Sequence, residues 1–403
     1  MNSVQESRAN LAWQVVLSVA IVATALGTNA VFGDEVQVTA SPIVDYEFDQ
    51  QDALLTYVDL SHRLWTAGVD RNTGAFVPPT GHGTLVDVDA ATSPDFGNGP
   101  EWVEGSTGGY QIIYTKYLTG QPQSAATANI AKVVYQSGAW YPSFLPNTLG
   151  FVEPIGNINP TQANPPVVFR NGSSGDWQLY TQGINDSTPL AVPNTSQSKG
   201  SERFVPGLNE LVYTTPVGVG RSSWRQVFSY DLNTGATTQL TSDSGNKGDV
   251  FLWQAPEYGG AYVAMVSVNA QSLRFYTPQY NAKTQTNAWT VVATIPIPSG
   301  APAYIWSPEP FVYKGKSYVF MVRSPNGNPS LFSYPTQVWL ASLDNTYNVQ
   351  ISDPTITDRV RQDPEVFITS QGPFIYYNRY TRNSPGAPSR AEGVWRSNSG
   401  LGP

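Results

Sequence analysis

The apolar residues of this chain fall into short runs of β character, separated by turns rich in Gly, Asn and Pro. Side chains two apart share one face of a strand, so each run predicts one strand with a core side. Four stretches resemble one another: Gly99-Pro100-Glu101-Trp102, Ala255-Pro256-Glu257-Tyr258, Ser307-Pro308-Glu309-Pro310 and Asp363-Pro364-Glu365-Val366. Each precedes a Gly-containing turn and an aromatic run, such as Tyr110-Gln111-Ile112-Ile113-Tyr114 or Phe374-Ile375-Tyr376-Tyr377. A strand–turn–strand unit returning about every fifty residues marks a repeat fold, and with strands alone its closed form is a β-propeller.

Seven anchors, Tyr57, Tyr114, Tyr180, Tyr213, Met265, Phe320 and Tyr377, mark second strands and predict seven blades. The step from Tyr180 to Tyr213 is short for a blade, which keeps six as the alternative. Third strands end at Asp70, before Asn72-Thr73-Gly74, and at Asp231, before Asn233-Thr234-Gly235. Gly supplies the positive φ such turns need. The last unit ends after its third strand, Gly393-Val394-Trp395-Arg396. The segment Val36-Gln37-Val38-Thr39-Ala40 is therefore expected to supply the missing outer strand, because an open ring leaves an unpaired edge. The expected fold is all-β: a closed propeller of six or seven four-stranded blades over residues 36–403, preceded by one hydrophobic helix within residues 1–35.

That N-terminal segment decides the compartment. Leu11 to Phe32 carries no formal charge, Arg8 precedes it, and Asp34 and Glu35 follow. The positive-inside rule then puts the N-terminus in the cytoplasm and residues 36–403 outside it. The segment reads either as an anchor holding the membrane through residues 11–32 or as a signal peptide cleaved near Ala25 or Ala30. Charged residues make up only 13% of the chain and the net charge is -8, which argues against a nucleic-acid partner. Without Cys there is no disulfide, thiol nucleophile or cysteine metal site. No phosphate-loop, dinucleotide, zinc-protease or nucleophile-elbow motif occurs, so no cofactor or metal is expected.

The run from Ser307-Pro308-Glu309-Pro310-Phe311 to Tyr318-Val319-Phe320 resembles the blade motif of propeller glycosidases acting on arabinose- and xylose-containing glycans. Asp363-Pro364-Glu365-Val366-Phe367 is similar to it. The units around Tyr230-Asp231 and Gln239-Leu240-Thr241 resemble blades of periplasmic TolB-type propellers. The glycosidase resemblance implies a base Asp in the first blade, a tuning Asp and an acid Glu. The first blade offers Asp45, Glu47, Asp49 and Asp52 without that family's Asp-Pro, so no catalytic role is carried over.

From the residues themselves, Glu101, Glu257, Glu309 and Glu365 are candidates for a partial carboxylate ring at the mouth of the central channel. Such a ring raises its own pKa values until a cation, an Arg such as Arg203, Arg359 or Arg361, or a bound sugar relieves it. The competing reading is that a motif present in several blades serves structure. His82, in the Gly-flanked loop Pro79 to Gly83, is the remaining acid–base candidate. The stretch 118–162 reads as a long inter-blade insertion whose Trp140, Tyr141, Phe144, Leu145 and Phe151 form a partner-binding surface. Together these features point to an exported, membrane-anchored, non-catalytic propeller that binds a protein partner in a membrane or envelope complex. The alternative is a secreted glycan-active hydrolase or lyase using the central channel.

Overall fold

The computed structural model describes residues 34–92, 99–107, 109–193, 202–218, 223–281, 286–328, 331–384 and 388–403. The expected hydrophobic helix, with residues 11–32, lies outside the described residues. The described residues form seven antiparallel sheets, the blades of a propeller, and one short parallel pair, Glu104–Gly105 with Ile158–Asn159. Their innermost strands are Ile43–Asp49, Glu101–Trp102, Phe151–Ile155, Arg203–Phe204, Lys247–Ala255, Tyr304–Tyr313 and Arg359–Thr369 for blades 1 to 7. Among the described residues the only helical pieces are 3-10 turns such as Ala125–Thr127 and Pro256–Tyr258.

Each blade packs both faces against its neighbours. Its second strand is therefore covered on both sides and reads as an unbroken apolar run rather than an alternating one. Ile112-Ile113-Tyr114, Val263-Ala264-Met265-Val266 and Val319-Phe320-Met321-Val322 are all buried for this reason. Phe169 fills that place in blade 3, where Val168 pairs with Ile155 as Ile113 pairs with Glu101 in blade 2. Tyr180 instead lies in the third strand of blade 3, Trp177–Tyr180. That displacement made the step to Tyr213 look too short and kept six blades open.

The ring closes as expected. Val36–Thr39 pairs with Ala391–Asn398 as the outer strand of blade 7. Ahead of that strand, buried Glu35 accepts from Arg361 Nε at 2.7 Å and from Arg379 Nη1 at 2.9 Å. Arg379 also donates to Glu392 at 2.7 Å and lies 3.1 Å above the Trp395 ring. The third-strand turns form as read: Asp70 Oδ1 accepts the Asn72 and Thr73 amides, and Asp231 Oδ1 those of Asn233 and Thr234.

One buried charge stands alone. Arg323 is wholly buried in the second strand of blade 6, and none of its three side-chain nitrogens has a hydrogen-bond partner among the described residues. Burial pushes its pKa down to about 10. Its guanidinium lies 5.5 Å from the Trp339 ring centroid. Replacing an uncompensated buried charge by an apolar side chain of similar length removes its desolvation cost. Arg323→Met is expected to stabilise the fold by about 1–4 kcal/mol, read as a higher urea midpoint. A lower midpoint would show that Arg323 contributes a favourable contact.

Candidate functional site

The inner strands share an irregularity that builds the central channel. Asp45, Glu153, Asp249, Ser307 and Asp363 have φ between 43° and 54°, and each sits at a register shift between the first and second strands of its blade. These are β-bulges, which bend a strand and re-aim its side chains. Blade 2 has Gly99 here, at φ 93°. A Cβ on Gly99 would lie 2.8 Å from Asp45 Cβ, so only glycine fits beside blade 1.

Glu47, Glu101, Ile155, Phe251, Glu309 and Glu365 stand two residues after these positions, and Arg203 opens the inner strand of blade 4, so the order from blade 1 to blade 7 is Glu47, Glu101, Ile155, Arg203, Phe251, Glu309 and Glu365. The order is asymmetric. Blades 6, 7, 1 and 2 contribute four consecutive glutamates, and Arg203 faces them from blade 4 between Ile155 and Phe251. Asp45, Asp249 and Asp363 add a second layer at the bulges, around a cavity of about 220 Å³. In blade 3 Glu153 is taken up by Arg170, whose Nε donates to it at 2.7 Å. Beyond the glutamates the channel becomes aromatic. Phe48, Trp102, Phe204, Phe251 and Trp253 line a second space of about 300 Å³ that shares Glu47, Glu101, Arg203 and Glu309 with the first.

Seven carboxylates and one guanidinium line the acidic chamber, so it cannot be neutral with every acid ionised. Withdrawal from water, then repulsion from Glu101, Glu309 and Asp363, raises Glu47 well above the carboxylate range. Glu365 and Asp363 rise well above it for the same reasons, burial first. Burial pushes Glu101 up to about 7, although Arg203 and a hydrogen bond from the Gly156 backbone oppose the shift. Glu309 and Asp249 are raised by burial despite Arg203. Arg203 is itself held charged, its burial outweighed by Glu309, Glu101, Glu47 and Asp249. Its guanidinium also lies 5.2 Å from the Phe251 ring centroid.

Of the glutamates expected in the ring, Glu101, Glu309 and Glu365 are there, and Glu257 is not. Glu257 sits in a 3-10 turn at the end of the blade 5 inner strand, where it accepts the Ser317 amide at 2.5 Å and the Ser317 hydroxyl at 2.8 Å. The blade 5 position belongs to Asp249-Val250-Phe251, which lacks both Pro and Glu. Arg359 and Arg361 bind Glu392 and Glu35, away from the channel. His82 packs at a tilt against Trp65, with ring centroids 4.9 Å apart, and lies outside the channel lining. Residues 118–162 form regular blade structure. Ala128–Gln136 and Ala139–Phe144 are the outer two strands of blade 2, and Phe151–Ile155 opens blade 3. Leu145 is buried between these blades and Phe151 packs edge-on to Phe169 at 5.2 Å, whereas Tyr141 and Phe144 are exposed and Trp140 is half-buried.

No protein-family model matches the sequence, and no curated protein matches it. Among solved structures, 629 chains match the fold. One is the β-propeller domain of Cps50 (Swd1) from Myceliophteria thermophila, at 9% identity and a TM-score of 0.51, covering 90% of this chain and 98% of that one. A likeness at that identity shows the propeller fold and leaves function to the site.

Proposed function

We propose that the protein is a non-catalytic interaction module whose central channel receives a basic side chain of a protein partner. The carrying observation is the one-sided order of the channel: four successive glutamates, backed by an aromatic chamber. A lysine or arginine entering from the aromatic end lays its aliphatic stem along Phe48, Trp102 and Trp253. Its charged head then reaches Glu47, Glu101, Glu309 and Glu365. Aromatic faces and carboxylates both attract a cation, and both act more strongly out of bulk water. The incoming charge takes the place of protons that the crowded acids otherwise hold.

The module is exported and tethered in this reading. Support comes from the charge-free Leu11–Phe32 segment between Arg8 and Asp34-Glu35. Cleavage near Ala25 or Ala30 would leave Glu35, and with it the ring closure, in place. The test uses the full chain and acetyl-tetralysine-amide as probe, with binding followed calorimetrically. The probe binds wild type, and Glu309→Gln combined with Glu365→Gln weakens it by about tenfold or more. Unchanged affinity in that variant would overturn the assignment. So would turnover of a polysaccharide, which would make the channel a glycosidase or lyase site.

A further inference from the structure

The acidic chamber has two unlike halves. Glu309, Glu365, Glu47 and Glu101 stand on the inner strands of four successive blades, 6, 7, 1 and 2, so their carboxylates reach the cavity from four directions. The opposite half holds the protein's own cation. Arg203 of blade 4 donates from Nη1 to the Glu202 carbonyl at 2.9 Å, and its guanidinium lies 5.2 Å from the Phe251 ring centroid. In the aromatic vestibule the indole donors are already committed. The Trp102 N–H donates to the Glu47 carbonyl at 3.3 Å, and the Trp253 N–H to the Ser317 hydroxyl at 3.1 Å. Those two rings offer a ligand carbon surface alone.

These two halves distinguish the two basic side chains. A lysine ammonium is compact, and its three donors rotate about the end of the stem, so several carboxylates placed around it can each accept one. An arginine guanidinium is a flat fork. It pairs best with one carboxylate lying in its plane, and it gains further by stacking on an aromatic face. Carboxylates arriving from four blades suit the first geometry. Of the rings that line the chamber, Phe251 already carries a guanidinium and Tyr46 packs in the hydrophobic core shared by blades 7 and 1. A second flat cation would also lie against Arg203, whereas a compact one can stay on the glutamate side. Like charges at close range repel more strongly out of bulk water.

On the reading of the channel as the receptor for a basic side chain, we infer that it selects lysine in its unmodified ammonium form over arginine, with Arg203 setting the choice. Acetylation of that lysine, which removes its charge, then switches the interaction off. The experiment compares, by calorimetry on the full-length protein, acetyl-tetralysine-amide with acetyl-tetraarginine-amide and with the lysine peptide acetylated or trimethylated on every Nε. The two unmodified peptides carry equal charge, so general attraction to an acidic protein cancels between them. Tetralysine is expected to bind about tenfold or more tightly than tetraarginine, and the acetylated peptide not at all. The trimethylated peptide, which keeps its charge but has no donor on its heads, binds about tenfold more weakly than tetralysine. Arg203→Met brings tetraarginine to within about threefold of tetralysine, and Arg203→Lys, which keeps the charge but vacates the Phe251 face, closes part of the gap. An unchanged gap in both variants would remove Arg203 from the choice. Equal binding of the two unmodified peptides, with both lost in Glu309→Gln, Glu365→Gln, would overturn the selectivity and leave the channel reading standing. Failure of both to bind, or a lysine preference that survives the double variant, would overturn both. Tighter binding of the trimethylated peptide would assign recognition to the rings rather than the carboxylates.

Discussion

Glu35→Ala is expected to cost about 3–5 kcal/mol of folding stability, the usual penalty for breaking a buried ion pair from one side. Glu35 and Arg361 are both essentially excluded from solvent, and Arg379 shares the same carboxylate. Alanine strands two cations and loosens the anchoring of Val36–Thr39. Without that strand, Ala391–Asn398 becomes an exposed edge, and an unpaired edge promotes association. Glu35→Met with Arg361→Leu should restore part of the loss, because it removes a charge along with its partner. Urea unfolding of the single and double variants checks this. A single variant with wild-type midpoint would show that closure rests on strand pairing alone.

The second large effect is a fall in stability as pH rises. Glu101 is pushed up to about 7, and Glu47, Glu365 and Asp363 stand well above their ordinary values. Glu104, outside the chamber lining, is pushed up to about 7 by burial and by Asp49 and Asp52. An unfolded carboxylate loses its proton near about 4.3. Between that value and the raised folded values, the folded protein holds protons that the unfolded chain has released. Stability rises with pH only where the unfolded state binds more protons, so here it declines. The unliganded protein should therefore melt several degrees lower at pH 8 than at pH 5. In the triple variant Glu101→Gln, Glu309→Gln, Glu365→Gln the decline should flatten. Thermal melts across this range decide the matter. A melting temperature that climbs towards pH 8, or an equal slope in the triple variant, would show that the acids do not crowd one another.

Much of this architecture was legible in the sequence. The missing fourth strand after Arg396 pointed to Val36–Ala40, because a ring must close. Second strands were visible as apolar runs, except in blade 3, where Tyr180 carried the stronger aromatic signal and concealed Phe169 one strand earlier. The channel was only partly legible. The Pro-Glu pairs found Glu101, Glu309 and Glu365, whose prolines follow a bulge residue. In blade 5 the same pair falls after the strand, so Glu257 imitated a motif whose true position carries Asp249 and Phe251. Asp45-Tyr46-Glu47 and Arg203 lack the proline, and only register places them in the same ring. The exposed aromatics from Tyr135 to Phe144 break the core pattern, which made an outer hairpin read as an insertion.

The most direct test of the channel assignment is a crystal structure of the full chain with acetyl-tetralysine-amide. One lysine side chain is expected inside the channel, its stem against Trp102 and Trp253 and its Nζ within hydrogen-bond distance of Glu101, Glu309 or Glu365. A peptide bound only on the outer surface, with the channel free of it, would rule out the channel as its binding site.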